Sequence, residues 1–324
     1  MIRHICKSIL IALLTVGSGV AFADEGRKLP TIGLAIPVDQ STDAPFQKAL
    51  RDGLRDLGYV DGKNVTIMVR YANGDPNKLR LLIKELIALH VDVLVGDAPP
   101  LKEATTTIPI VSPTMRDPVK TGLVASLARP GGNLTGVSAQ VYDVLAKELE
   151  LARDLVPNLR RLCLLFDEND EPNVVAYANT EFRALAHSLG ISVRMMPVGT
   201  LADIQAALNT IHKERPQVLI VLDSPLMTQH NHTIMDSVAH RLPVISQGRD
   251  FAKAGALLTY SVDWLDMFRR SAGYIDKILK GAKPGDLPIE QPSKFDFVIN
   301  LKTAKEFGIS IPESILLRAD KVIR

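Results

Sequence analysis

Short β-branched runs alternate with longer amphipathic segments along most of the chain. The run at 31–38 predicts a strand, and apolar residues then recur at helical spacing from Phe46 to Leu57, until Gly58 ends the predicted helix. The elements predicted next are a strand at 65–71, a helix from Pro76, and strands at 91–95 and 108–112. This order is typical of βαβ units, in which right-handed crossovers build a parallel sheet with helices on both faces.

A second α/β unit follows the first. The segment 129–133 interrupts the alternation, and 134–138 is predicted to be the last strand of the first lobe. The series then restarts, with helices predicted at 146–155, 174–189 and 201–212 and strands at 162–166, 192–196 and 218–222. After it, 257–280 predicts a strand and a helix, 281–292 is a connector rich in Pro and Gly, and the tail from Phe295 adds a strand and a helix. Two similar α/β units therefore stand in tandem.

The first 23 residues have the pattern of a secretory signal peptide. Arg3 and Lys7 precede an apolar run at 9–20, which is followed by Ala21-Phe22-Ala23. We expect cleavage after Ala23 and a soluble, periplasmic mature protein. An uncleaved membrane anchor is the alternative, but the apolar run falls short of the about 20 residues that a spanning helix needs.

Composition and charge describe an ordinary globular protein. The 324 residues suggest two domains, and without Arg3 and Lys7 the chain has 36 basic and 36 acidic residues. This balance excludes a strongly basic nucleic-acid-binding protein. The expected cleavage also removes Cys6, which leaves Cys163 as the only cysteine of the mature chain, so no internal disulfide is expected. The place of Cys163 inside an apolar run indicates a buried structural thiol.

The usual catalytic and cofactor signatures are missing. The sequence contains no Walker A motif, no G-x-G-x-x-G after a strand, no G-x-S-x-G and no H-E-x-x-H. Gly131-Gly132 is interpreted as a turn into a strand, because no helix that could hold a phosphate follows. His230 and His232 would point to different faces of a helix, so neither they nor His240 indicate zinc. We therefore expect no cofactor and no metal.

The more informative polar residues follow the predicted strands. Ligands of open parallel sheets bind outside the carboxyl ends of the strands, where hydroxyls suit a carboxylate and an isolated Asp suits an ammonium. Each such residue has an alternative role as a helix cap or turn former. The candidate ligand-binding residues are Asp39, Ser41, Thr42, Asp97, Ser112, Thr114, Asn169, Asp223, Ser224 and Gln247.

Asp223 is the leading candidate for binding an ammonium group. It follows the apolar run at 218–222, which places it at the carboxyl edge of a strand in the second lobe, with Ser224 beside it. The alternative is that Asp223 caps the helix expected after Pro225.

Several stretches of the sequence resemble one known family. They are GLRDLGYVDGKNV at 53–65, TTTIPIV at 105–111, DPVKTGLVASLARPGGNLTGVS at 117–138, DLPIEQP at 286–292 and FVINLKTAK at 297–305. Together they are similar to the ABC-transporter substrate-binding proteins of the tryptophan/tyrosine-binding type. One departure is that 96–104 is shorter than in the family, which usually has a Gly-Thr-Pro turn and an Ala-rich helix there, so we expect an altered edge of the cleft.

The resemblance implies the periplasmic-binding-protein type I fold, in which two Rossmann-like lobes with parallel sheets are joined by three hinge segments. The expected first lobe comprises 24–138 plus about 258–290, and the second comprises 139–257 plus about 291–324. It also implies a monomeric, periplasmic solute receptor that closes on a small ligand, an aromatic or other amino acid, and delivers it to an inner-membrane ABC permease with its ATPase.

The expected receptor is not an enzyme and binds no nucleic acid. The alternatives are an exported enzyme that uses the cleft between the lobes, and a ligand-sensing receptor without a transport role. A LacI-like regulator would need an N-terminal helix-turn-helix where the signal peptide lies. Four aromatic residues fall near inferred cleft or hinge positions, with core packing as the alternative role of each: Tyr142, Phe166, Tyr260 and Trp264.

Overall fold

The computed structural model describes residues 28–170 and 172–324. The predicted signal peptide lies outside the described residues. None of the described helices is long and apolar enough to cross a membrane.

A parallel five-stranded sheet forms the first lobe as described. Its strands are β1 (Thr31–Ile36), β2 (Thr66–Tyr71), β3 (Val93–Gly96), β4 (Ile110–Met115) and β5 (Leu134–Ser138). Helices α1 (Gln40–Asp56), α2 (Pro76–Ala88) and α3 (Ala98–Ala104) connect the first four strands. The strand order is β2-β1-β3-β4-β5, which is the doubly wound order of flavodoxin-like sheets. The parallel sheet predicted for this part of the chain is confirmed.

The second lobe repeats this topology. Its elements are α4 (Val141–Leu155), β6 (Arg161–Asp167), α5 (Pro172–Tyr177), a π-helical turn (Ala178–Phe182), α6 (Arg183–Ser188), β7 (Ser192–Val198), α7 (Leu201–Glu214), β8 (Val218–Val221), α8 (Pro225–Gln229), α9 (Asn231–Val238), β9 (Val244–Ser246), α10 (Arg249–Lys253) and β10 (Leu258–Val262). Strands β7-β6-β8-β9-β10 have the same order as the first sheet. The tandem α/β units that the sequence predicts are therefore confirmed.

The end of the chain serves both lobes. After β10 come α11 (Trp264–Leu279), a 3₁₀ turn (Pro284–Asp286), β11 (Phe295–Asn300), α12 (Leu301–Glu306), α13 (Glu313–Leu316) and β12 (Lys321–Ile323). Strand β11 pairs antiparallel with β10, and β12 extends the second sheet. Helix α11 packs on α1 in the first lobe, where a Cβ on Gly53 would lie 2.5 Å from the carbonyl oxygen of Arg269.

Three segments cross between the lobes. They connect β5 to α4, β10 to α11, and the 3₁₀ turn to β11. At the first crossing, Gln140 has a left-handed backbone with φ of 48°. The sequence predicts a return to the first lobe near 258, but β10 pairs with β9 and β11 in the second sheet. The second crossing therefore lies after Val262, because β10 pairs with β9 at the edge of the second sheet.

Buried apolar residues cover both faces of each sheet, as the parallel pairing requires. Cys163 is among them and fully buried, and burial raises the pKa of its thiol to about 12. The predicted structural thiol is confirmed, since a cysteine that stays protonated is a poor nucleophile.

Candidate functional site

The two sheets present their carboxyl ends to each other across a closed cleft. Arg116 follows β4 in the first lobe, and Asp170 lies in the loop after β6 in the second. Their side chains form an ion pair with 2.5 Å between Nη1 and Oδ2, and they are only 15% and 10% exposed. This is the edge at which open α/β sheets bind ligands.

Two half-buried carboxylates, one from each lobe, lie near enough to this ion pair to be affected by its charges. Asp97 follows β3, and Asp223 follows β8. Burial raises the pKa of both carboxyls; the Arg116 guanidinium acts in the opposite direction on both, and the Asp170 carboxylate raises both further. Arg116 and Asp170 therefore lie close to both side chains. Neither Asp97 nor Asp223 forms an ion pair with a described side chain.

The structure contradicts the capping role considered for Asp223. Ser224 is the N-cap of α8, and its Oγ accepts a hydrogen bond from the backbone N–H of Met227 at 3.3 Å. Asp223 instead accepts a hydrogen bond of 3.1 Å from the Thr228 hydroxyl. The binding of an ammonium by Asp223 stays a prediction, and its competing explanation is removed.

Ser224 also connects to the loop after β6. Its hydroxyl is 3.4 Å from Oδ2 of Asp167, whose pKa is raised by burial. Oδ1 of Asp167 accepts a hydrogen bond from the backbone N–H of Asn169 at 2.9 Å. Asn169 is exposed, and its side-chain amide lies beside Gly199, so the structure places it at the rim.

Gln247 forms a hydrogen bond with a buried acid of the second lobe, Glu148. Its Nε2 donates to Oε2 of Glu148 at 3.1 Å, and Glu148 is fully buried in α4. Burial raises the pKa of Glu148 well above its usual range, and the nearby Asp223 charge raises it further. Oε1 of Glu148 has no hydrogen-bond partner among the described residues. Such an orphaned atom is uncommon in a native interior.

Asp39, Ser41 and Thr42 bind one another at the start of α1. Asp39 accepts hydrogen bonds from the backbone N–H groups of Ser41 and Thr42 and from both hydroxyls. These bonds, led by the one from the Ser41 hydroxyl, lower the pKa of Asp39. All three residues are exposed, so they form an ordinary helix cap. Their described hydrogen bonds stay within this cap, and a role for them in ligand binding stays a prediction.

Ser112 and Thr114 lie on β4, which leads to Arg116. Ser112 is fully buried, and its Oγ has no described partner, whereas Thr114 is half-buried. Gly136 of β5 crosses directly over Ser112 with φ of 142°. A Cβ at this position would lie 1.9 Å from the carbonyl oxygen of Ser112, so only glycine lets the two strands meet here.

A second contact between the lobes lies four residues beyond Arg116. The Lys120 ammonium is 4.7 Å and 5.3 Å from the ring centroids of Tyr142 and Tyr177, and 3.3 Å from Oε2 of Glu181. The two tyrosine rings pack together at 4.4 Å and are buried. The connector after β4 thus contributes two cations that reach the second lobe.

The other aromatic candidates pack into the second lobe and its hinge. Phe166 is fully buried, and Tyr260 stacks on Phe295 with ring centroids 5.4 Å apart. Trp264 packs partly buried against the main core cluster. Core packing accounts for these three side chains.

The described His, Cys, Asp and Glu side chains form no group of three that could hold a metal ion. His230 precedes α9 as its N-cap residue, and His240 pairs with Glu306 on the surface.

A buried polar pair on α1, Asp43 and Gln47, was not predicted. Asp43 and Gln47 are 2% and 7% exposed, and Oδ2 of Asp43 and both polar atoms of Gln47 have no hydrogen-bond partner among the described residues. Burial raises the pKa of Asp43 to about 6, and nearby Gln47 and Tyr71 offset this only in part. A carboxyl whose pKa is higher in the folded state than in the unfolded chain destabilises the protein once it ionises.

We expect Asp43→Asn to stabilise the protein at pH 8 by up to about 3 kcal/mol, because the substitution removes a buried charge. The gain should shrink as the pH falls from 6 towards 4 and vanish only below the unfolded-state pKa of 3.8, where the wild-type carboxyl is protonated in both states. Urea unfolding at several pH values measures it. Asp154→Asn, on the surface, is the control and should change little at any pH. A stability difference that does not depend on pH would contradict the account.

Two residues of the cleft were not predicted, although the sequence carries a signal for each. Arg116 comes four residues after the strand predicted at 108–112 and directly follows β4, which extends to Met115. Glu148 lies seven residues after Val141 on the apolar stripe of α4, and an acid on such a stripe is buried.

Comparison with known proteins places these features in a family. A family model described as ABC transporter substrate binding protein matches residues 31–323. The chain is 23% identical over 287 residues to a tyrosine-binding protein of Clostridioides difficile, covering 87% of this chain and 81% of that protein.

Solved structures agree. An ABC domain from Streptococcus pneumonia in complex with L-Trp is 30% identical, with a TM-score of 0.82 over 91% of this chain and 100% of that one. A conserved domain protein from Vibrio cholerae is 28% identical, with a TM-score of 0.81 over the same shares. A glucose-galactose binding protein from Geobacillus stearothermophilus, 13% identical with a TM-score of 0.64 over 84% of this chain and 98% of that one, shares the fold. The two lobes have the periplasmic-binding-protein type I architecture, and the chain belongs to the family of ABC transporter substrate-binding proteins.

Proposed function

We propose that this protein is the exported receptor of an ABC importer and that it binds one α-amino acid between its lobes. The observation that carries the proposal is Asp223, a half-buried carboxylate at a strand end that neither caps a helix nor pairs with a described cation. Such a group suits the ammonium of an amino acid. Two relatives support the class, one named for tyrosine and one solved with L-Trp.

In this proposal the second lobe holds the α-ammonium on Asp223, and the first lobe offers Arg116 to the α-carboxylate. A guanidinium matches a carboxylate in charge and geometry. Because the two groups belong to different lobes, an amino acid that touches both binds the closed form more tightly than the open form. The ligand then shifts the population towards closure, with the crossing segments as hinges.

The proposed partner is a membrane permease with its ATPase, which recognises the closed form of a monomeric receptor. The predicted signal peptide supports export to the periplasm. An enzyme with the same cleft would need a nucleophile beside a base, and the cleft side chains described above are mainly carboxylates around one ion pair.

Thermal unfolding of residues 24–324 in the presence of each of the twenty amino acids tests the proposal. At a hundredfold excess over its dissociation constant, a ligand of the native state adds about 2.7 kcal/mol to the stability. We expect at least one α-amino acid to do so, while glucose, adenine and succinate do not. Stabilisation by one of these three compounds and by no amino acid would contradict the proposal.

A further inference from the structure

The two lobes bind each other directly through side chains of one segment, the connector between β4 and β5. Arg116 begins this connector and pairs with Asp170 of the second lobe, with 2.5 Å between Nη1 and Oδ2. Lys120 lies four residues further on, and its ammonium is 3.3 Å from Oε2 of Glu181, which also belongs to the second lobe. Closure of the cleft therefore brings charges of opposite sign together within the protein itself.

Hydrogen bonds hold the connector in a fixed turn of the first lobe. Asp117 has a left-handed backbone with φ of 44°, and its Oδ1 accepts a hydrogen bond from the backbone N–H of Lys120 at 3.4 Å. Its carbonyl oxygen accepts two more bonds of 3.1 Å, from the backbone N–H and the hydroxyl of Thr121. The carbonyl oxygen of Met115, just before the connector, accepts a bond of 2.6 Å from the N–H of Ala139, in the first crossing segment. The two cations are thus positioned before they meet the second lobe.

The second lobe presents a preformed aromatic surface to Lys120. The rings of Tyr142 and Tyr177 pack with their centroids 4.4 Å apart, and the Tyr177 hydroxyl donates to the carbonyl oxygen of Tyr142 at 3.2 Å. The Lys120 ammonium lies 4.7 Å and 5.3 Å from the centroids of these buried rings. Glu181 follows Tyr177 by four residues and so shares its face of the helix, in the π-helical turn. An aromatic pair with an acid beside it suits a single ammonium.

The two contacts differ in strength. The side chains of Arg116 and Asp170 are mostly buried, so removing one of them leaves the other desolvated and unpaired while the lobes are closed. Lys120 and Glu181 are 50% and 62% exposed, so their ion pair contributes little, and the position over the two rings accounts for most of that contact. Opening of the cleft separates the partners of both contacts. Both contacts therefore favour the closed form over the open form.

We propose that these contacts form an interlobe latch, which keeps a fraction of the receptor closed before any ligand binds. The latch comprises Arg116, Lys120, Tyr142, Asp170, Tyr177 and Glu181. The inference rests on the proposed function, because the apparent dissociation constant of a ligand of the closed form equals the intrinsic constant divided by the closed fraction. Lys120 and Asp170 are then positioning residues that set the affinity without touching the ligand. A guanidinium has five N–H donors, so Arg116 can bind Asp170 and a ligand carboxylate together.

Distances between spin labels test the latch without any ligand. The labels are placed on cysteines introduced at Asn77 and Ala202 in residues 24–324, which are exposed positions in the first turns of α2 and α7, one in each lobe. We expect the ligand-free wild type to show a closed component that matches the structure, beside an open one. Asp170→Asn keeps the shape of the side chain and removes its charge, so the closed component should be lost. Lys120→Met should diminish it.

Calorimetry with L-tyrosine and L-tryptophan measures the matching changes in affinity. Losing one partner of a desolvated charge pair costs a factor of about 30 to several thousand, and losing a cation–π contact costs about 2- to 30-fold. We expect Asp170→Asn to weaken the binding of both amino acids by the same factor, about 30 or more. Lys120→Met should weaken both equally, by about 2- to 30-fold.

Lys147→Met and Asp154→Asn are the matched controls. Both residues lie on α4 and pair only with neighbours on that helix, Glu150 and Arg153, among the described side chains. Their loss should leave the ligand-free distances unchanged and should change the affinity by less than about threefold.

Three results would overturn the inference. They are the absence of a closed component in the ligand-free wild type, an undiminished component in Asp170→Asn and Lys120→Met, and tighter binding in Asp170→Asn, which would make Asp170 a competitor of the ligand carboxylate. If the closed component changes as expected but no α-amino acid binds, the proposed function fails and the latch stands. Should Asp170→Asn not fold, the closed component of Lys120→Met decides.

Discussion

Asp223→Asn is expected to weaken the binding of whichever amino acid the wild type binds most tightly by a factor of about 30 to several thousand. The substitution keeps the shape of the side chain and an oxygen for the Thr228 hydroxyl, but it removes the charge that the α-ammonium needs. Folding should be little affected, because Ser224 and not Asp223 caps α8. Calorimetry measures the affinity, and circular dichroism verifies the fold.

Asp250→Asn is the matched control for this experiment. Asp250 is close enough for its charge to raise the pKa of Asp223, but its own side chain is about half exposed and pairs with Lys253. Its loss should change the affinity by less than about threefold, since exposed pairs contribute up to about 1 kcal/mol. Wild-type affinity in a folded Asp223→Asn protein would eliminate the ammonium role.

Gly136→Ala is expected to remove about 4 kcal/mol or more of folding stability, a large part of the 5–15 kcal/mol typical of a domain. The new Cβ would overlap the carbonyl oxygen of Ser112 at 1.9 Å, and only a shift of β5 against β4 can relieve this. Backbone atoms cannot rotate away as a flexible side chain can. Urea unfolding and the yield of soluble protein measure the loss.

Substitutions at two other glycines separate the cost of steric overlap from the cost of the backbone conformation. Gly255 has φ of 102° and open space around the position of a Cβ, so Gly255→Ala reports the cost of the backbone conformation alone, about 1–2 kcal/mol. Gly273 lies inside α11 with open space and an ordinary φ, and Gly273→Ala should be neutral or stabilising by up to about 1 kcal/mol. Equal effects of the Gly136 and Gly255 substitutions would contradict the steric account.

The hydrophobic pattern predicted the parallel strands closely, because each is a short buried run between turn residues. The strand predicted at 134–138 agrees with β5 residue for residue. Helix starts were predicted less well. Helix α1 begins at Gln40, ahead of the apolar repeat that starts at Phe46, because Asp39 and its hydroxyl partners cap a polar first turn. The lobe assignment of β10 depends on pairing with β9 and β11, which no local pattern encodes.

The candidate site could be predicted only in part. Strand ends predicted the positions of Asp97 and Asp223 after β3 and β8, at the carboxyl edges of the two sheets, and ligand binding by either residue stays a prediction. The same rule included Asp39, Ser41 and Thr42, whose groups are satisfied within a helix cap. Which carboxylate pairs with a cation depends on contacts between residues of different lobes. These residues lie more than 50 positions apart in the sequence, as Arg116 and Asp170 do. A single sequence does not encode such pairs locally.

The distance between the two lobes at the open side of the cleft offers the most direct test of ligand-driven closure. Strands β2 and β7 are the edge strands farthest from the crossing segments, so the helices that follow them should move most when the lobes open. Asn77 and Ala202 are exposed residues in the first turns of those helices, α2 and α7. Cysteines there can carry spin labels, while buried Cys163, with its raised pKa, stays unlabelled.

The decisive measurement is the distance distribution between labels on Asn77→Cys and Ala202→Cys in residues 24–324, with and without a mixture of the twenty amino acids. The account predicts a longer, broader distribution without amino acids, and a shorter, narrower one with them that matches the closed structure. A distribution that does not change, although calorimetry shows binding to the same sample, would contradict closure of the two lobes on an amino acid.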